Sequence, residues 1–162
     1  HGDDVASRSE AITLLGRRKG EIAAAHAIAT DATSDPFWAL RGQSLQALMA
    51  FPEDSMARSA VVVSVRDTDP RIRQAAVGAL AAFPGSGTES LLTTIARSDP
   101  SPIVRGAALA SYLKVAGDAA LPLTREIMAN KSWRNVLRTP AVAVLKGMQS
   151  AEAQALYRQY VK

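Results

Sequence analysis

Apolar positions along this chain return in one frame at a nearly constant interval. An arginine is followed four residues later by an aliphatic residue and seven residues later by a large apolar one. That spacing places all three on a single helical face. The central copies are Arg41, Leu45, Leu48; Arg73, Val77, Leu80; and Arg105, Leu109, Tyr112. Their arginines stand at a constant spacing of 32, and Phe51-Pro52 and Phe83-Pro84 keep the same interval independently. Weaker copies flank these at Arg8, Ile12, Leu15 and at Arg138, Val142, Leu145, each one position further from its neighbour than the central interval. Between the copies, helical spacing predicts helices over 21–29, 55–65, 88–96 and 119–128, and a closing one over 150–160. The pattern predicts one all-α domain over 1–162, built from about five helix pairs that bury the same face in every copy. Its approximate units are 1–18, 19–50, 51–82, 83–115 and 116–148, with a closing helix over 149–162.

The turns fit this reading. Pro36, Pro70 and Pro102 fall at or just before the first turn of the second helix in a pair, where a missing N–H costs nothing. Asp35, Asp69 and Asp99 precede those starts and are expected to cap them. Glycines 16, 20, 85, 87 and 117 mark the other connections. An aspartate also stands six residues before each central arginine, giving Asp35/Arg41, Asp67/Arg73 and Asp99/Arg105. Stacked units would align these into a structural ladder, with carboxylates satisfying backbone N–H groups and bridging to an arginine of a neighbouring unit. The alternative is that these arginines bind a partner.

This period, with its proline near the turn and its Asp and Arg positions, resembles HEAT repeats. The resemblance covers nearly the whole chain and implies an α-α superhelix, a HEAT/armadillo-like solenoid. It weakens around Arg138, where Ser132 replaces the aspartate and Pro140 should start the helix late or kink it. A narrower resemblance lies in Asp35-Pro-Phe-Trp-Ala-Leu-Arg41, with Asp4, Arg8 and Ala11 upstream. These segments are similar to ones in the C-terminal HEAT-like domains of bacterial zinc aminopeptidases of the aminopeptidase N family. That resemblance implies a fragment whose zinc-bearing catalytic domain lies upstream of His1. The chain opens on His1-Gly2 rather than Met, which agrees with an excised piece of a longer protein, and its first residues are polar and acidic rather than those of a signal peptide.

Composition adds mostly exclusions. Without cysteine there is no disulfide, thiolate metal site or cysteine nucleophile. The two histidines, His1 and His26, lack the i+4 partner of a zinc-binding helix, so neither catalytic nor metal-binding residues are expected and no cofactor is assigned to this chain. Gly85-Ser-Gly87 reads as a turn rather than a phosphate cradle, and the adjacent acids Asp3-Asp4 and Glu53-Asp54 as helix-start residues. With no apolar run of about 20 residues, no membrane span is expected. A soluble protein follows, with the compartment, cytoplasmic or exported, left open.

Net charge is +4, and the excess gathers at the end, where Lys131, Arg134, Arg138, Lys146, Arg158 and Lys162 face Glu152. A solvated basic face is the plainer reading, and an anionic partner the sharper one. Phe37, Trp38, Trp133, Arg134 and Arg138 form the candidate interaction surface, although core packing is expected of Trp38 because of its size. The expected function is a non-catalytic accessory domain of a zinc aminopeptidase, shaping the substrate chamber or meeting the upstream catalytic domain. A free-standing scaffold for a protein or peptide is the alternative. Nucleic-acid binding ranks last, because acids are interspersed outside the C-terminal region.

Overall fold

The computed structural model describes residues 4–85, 87–129 and 136–161. Among them it holds α-helices, one short 3-10 turn and no strand, so the fold is all-α. The helices group into two compact units, one ending at Phe83 and the other beginning at Pro84.

The first unit contains α1 (Val5–Gly16), α2 (Ile22–Ser34), α3 (Trp38–Leu48), α4 (Ser55–Ser64) and α5 (Pro70–Leu80). Helix α2 packs against α3, and α4 against α5, as hairpins closed by short turns. Between hairpins, α2 packs on α4, while α1 packs on α3 and α3 on α5. Two layers result, one holding the first helix of each pair and the other the second. Alanine makes this close approach possible: Ala25, Ile28, Ala29 and Ala32 form one buried stripe of α2 at helical spacing.

The second unit contains α6 (Thr88–Ser98), α7 (Pro102–Ala116), a 3-10 turn (Gly117–Ala120), α8 (Leu121–Ala129), α9 (Arg138–Gly147) and α10 (Ala151–Tyr160). Helix α6 packs on α7 and α8 on α9, α7 and α9 share a layer, and α10 covers α9. Gly117, with φ of +56°, takes the left-handed turn that ends α7.

The repeated frame buries its i+4 residue in four copies: Ile12, Leu45, Val77 and Leu109. The fifth copy departs, because Val142 is only half-buried and Ala141, Val144 and Leu145 face inward instead. In the other copies the helix begins three residues before the arginine, whereas α9 begins at Arg138 itself. Pro140 therefore lies in the first turn, where its absent N–H leaves no bond unmade. The i+7 face is also less uniform than the pattern predicts. Leu48, Leu80 and Leu145 are buried, but Leu15 in the first helix and the bulky Tyr112 remain half-exposed.

The capping expectation holds at Asp69, whose carboxylate accepts the Arg71 N–H, and fails at Asp35 and Asp99. Helices α3 and α7 begin three residues after Asp35 and Asp99, with Phe37 and Ser101 at the cap position, so both aspartates stand too early to cap, extended at ψ of 129° and 135°. Asp35 and Asp99 thus end the preceding helix. Each accepts the N–H two residues on, from Phe37 and Ser101, and Asp67 does the same for Asp69. The start acids Asp4 and Asp54 cap α1 and α4.

Gly106 follows Arg105 in α7 and faces α9, and a Cβ placed there would lie 2.9 Å from the Pro140 ring. A proline ring cannot swing away, so Gly106→Ala is expected to destabilise by about 1–3 kcal/mol despite alanine's better helix propensity. Gly42 holds the same place after Arg41 but faces open space. Gly42→Ala should therefore stabilise by up to about 1 kcal/mol. Urea unfolding of the two variants tests this pair, and equal effects of one sign would refute it.

Candidate functional site

The aspartate–arginine system is a relay between successive hairpins. Arg8 of α1 donates its Nε–H to Asp35 Oδ2 at 3.0 Å, and Arg41 of α3 approaches Asp67 Oδ2 at 3.4 Å. Each of these arginines reaches forward, to the aspartate of the next hairpin. Its own hairpin's aspartate is reached through the backbone instead. Arg41 donates to the Asp35 carbonyl at 3.1 Å, and Arg73 to the Asp67 carbonyl at 3.0 Å. One aspartate thus binds three groups: an arginine from the preceding hairpin, the N–H two residues on, and its own hairpin's arginine. The third copy differs, since Arg105 donates to the Ala96 carbonyl at 2.9 Å, while Asp99 accepts from Ser101.

Asp35 is the most enclosed member, with its side chain 4% exposed. Asp31, one turn earlier on α2, is held above the ordinary carboxylate range by burial and then by the Asp35 charge, with Arg8 pulling the other way. Among the described residues, the buried polar side-chain atoms without a partner are Arg41 Nε and Ser44 Oγ, both on α3. The sequence frame places Asp67 six residues before Arg73 and expects its carboxylate to bridge to an arginine of a neighbouring unit; that arginine is Arg41, of the preceding hairpin, because the stacking of hairpins sets which side chain faces it.

Trp38 departs from the expectation of core packing. It opens α3 with 39% of its surface exposed, beside an equally exposed Phe37. The two rings are tilted at 57° with centroids 6.1 Å apart. The guanidinium of Arg71, from the first turn of α5, lies 3.8 Å above the Trp38 ring. Asp69 holds Arg71 in turn, at 2.6 Å to Nη2. No spacing rule marks Arg71, which joins this cluster only because consecutive hairpins bring their turns together.

The Arg71 guanidinium, by hydrogen bonding, and then the Arg71 backbone N–H hold the Asp69 carboxyl at about 2. A carboxylate depressed in the folded state contributes stability above its unfolded value near 3.8 and loses it as pH falls from there towards 2. Asp69→Asn should accordingly be less stable than the parent at neutral pH, with the gap closing between about pH 4 and 2. Thermal unfolding across that range measures it, and a constant gap would contradict the assignment.

Trp133 and Arg134 lie outside the described residues, as do Lys131 and Lys162. Arg138 begins α9, with its guanidinium 5.3 Å from the centroid of the Tyr160 ring. His26 stands half-exposed on α2, with Nε2 at 3.4 Å from Asp54 Oδ2. Among the described residues, no three of His, Cys, Asp and Glu are grouped to hold a metal ion.

The family model for HEAT repeats matches residues 27–113 and, in an overlapping second alignment, 61–146. The chain belongs to the HEAT-repeat family. The two alignments are displaced from one another by about one repeat. HEAT repeats of this kind serve as helical scaffolds for protein interaction and are typically non-catalytic. No curated protein matches the chain. Among the described residues, no helix is long and apolar enough to cross a membrane.

Proposed function

We propose that this HEAT-repeat chain is a non-catalytic scaffold that holds a protein partner, with the Phe37–Trp38–Arg71 cluster as an anchor. One observation carries this reading: two large aromatics and a guanidinium from the turns of consecutive hairpins sit together, half-exposed. Trp, aromatic and Arg side chains dominate the energetics of protein interfaces. Asp69 holds the guanidinium in place, so little side-chain freedom remains to be lost on binding. A photo-crosslinking residue at position 38 should yield discrete protein adducts in cells. The same residue at Val63, which is exposed on α4, should not. Equal labelling at both positions would count against the anchor.

A narrower reading is supported by the segment from Asp35 to Arg41 and its resemblance to aminopeptidase N domains. Here the partner is the catalytic domain of the same chain, the scaffold closes one side of the substrate chamber, and zinc belongs to that other domain. The family match concerns the repeat and does not bear on a parent enzyme. The residues encoded upstream of His1 decide the matter. A His-Glu-x-x-His helix there supports the narrower reading, and its absence leaves the free-standing scaffold.

A further inference from the structure

A cavity of the first unit lies at the opposite end of α2 from Trp38, a helix rise of ~20 Å away. It has a volume of about 580 Å³, within the range of sites that enclose a small ligand or a few side chains. It opens where the α1–α2 connection meets the α3–α4 connection. Its floor is apolar, lined by the buried Ala25 and by Phe51 of the α3–α4 connection, also buried. Ile22 also lines the cavity and is 66% exposed. The polar part of the rim carries Glu21, Glu53 and Asp54, with His26 between them and no lysine or arginine in the lining.

Two of these acids are tied to the fold. Asp54 caps α4 through the Ala57 N–H and meets His26. Glu21 meets Arg18 at 3.6 Å, but both side chains are more than half exposed, so water screens that pair. The result is an acidic mouth over an apolar floor, on a chain whose net charge is +4. Such a mouth concentrates cations and rejects anions, while the floor demands an apolar group. The volume suits a short extended segment rather than a globular surface.

We infer that this groove is a peptide-binding site for a segment in which a large aliphatic side chain is flanked by Lys or Arg. The aliphatic group fills the space above Phe51 and Ala25 and lies along Ile22. The flanking cations lie against Glu53 and Glu21. The site is separate from the Trp38 anchor and does not depend on it.

The test uses the full chain, labelled with ¹⁵N, and three acetylated, amidated hexapeptides. One carries Leu between Lys and Arg, one has Glu in place of both cations, and one has Ser in place of Leu. The basic, leucine-bearing peptide should shift the amide signals of Ala25, His26, Phe51 and Ser55, with those of α5 unmoved. The Glu and Ser peptides should bind at least tenfold more weakly. Glu53→Lys and Ile22→Ser change exposed side chains and should keep the parent spectrum elsewhere. Each should weaken the basic peptide about tenfold, whereas Trp38→Ala should leave it unchanged. The proposal is overturned if the basic peptide shifts no groove amide, if the Glu peptide binds as well, or if Glu53→Lys has no effect. Weakening by Trp38→Ala alone would assign the peptide to the anchor and overturn the groove.

Discussion

Leu45→Ala is expected to cost about 2–5 kcal/mol, the range for a fully enclosed leucine whose neighbours cannot collapse into the space. Leu45 has no exposed surface. It sits in the middle of α3, the helix that packs against α1, α2, α4 and α5. A cavity there loosens both hairpins of the first unit, because each hairpin buries its apolar face largely against the next. Leu14→Ala, at a half-exposed site near the end of α1, is the matched control and should change stability by less than about 0.5 kcal/mol. Urea unfolding followed by circular dichroism measures both. Equal costs would mean that the repeat frame does not define the buried face.

That frame was legible in the sequence because helix burial is periodic, and a periodic solenoid repeats it every hairpin. Arg41, Leu45 and Leu48 reappear as Arg73, Val77 and Leu80, and the structure buries the apolar members of both sets. Helix starts were legible for a similar local reason: Pro70 and Pro102 occupy first turns. What could not be read are relations between hairpins. The spacing predicts a ladder that bridges to an arginine of a neighbouring unit, but it does not say which neighbour. The carboxylates of Asp35 and Asp67 turn to arginines 27 and 26 residues earlier. The expectation for Trp38 fails for the same reason. Its bulk argues for burial, and only the stacking of α5 on α3 shows that Arg71, from the next hairpin, covers one face and leaves the ring at the surface. The groove carries no sequence motif at all, since its walls combine the start of α2 with a connection about 30 residues further along the chain.

The relay should be the largest polar contribution to the first unit. Asp35→Ala removes a nearly enclosed carboxylate, the acceptor of the Phe37 N–H and one acceptor of the Arg8 guanidinium. Leaving enclosed donors unpaired costs about 1–3 kcal/mol, and breaking a buried ion pair about 3–5 kcal/mol. Arg8 is 28% exposed and can recover some water, so about 2–4 kcal/mol is expected for Asp35→Ala. Asp35→Asn keeps an acceptor for Phe37 and loses only the charge, so its cost should be about half as large. Removing Arg8 as well should add little. The double-mutant cycle on Asp35 and Arg8 is therefore expected to show a coupling of about 1–2 kcal/mol. The Asp67–Arg41 cycle should give a similar but smaller value, because their side chains are 21% and 17% exposed and their contact is longer. Asp67 with Arg73 is the discriminating comparison. Arg73 meets Asp67 through the backbone carbonyl, which Asp67→Ala leaves in place, so those two substitutions should be additive within about 0.5 kcal/mol. Strong coupling of Asp67 to Arg73 and none to Arg41 would reverse the direction of the relay. Coupling within error of zero for all three pairs would strip the repeated spacing of energetic content.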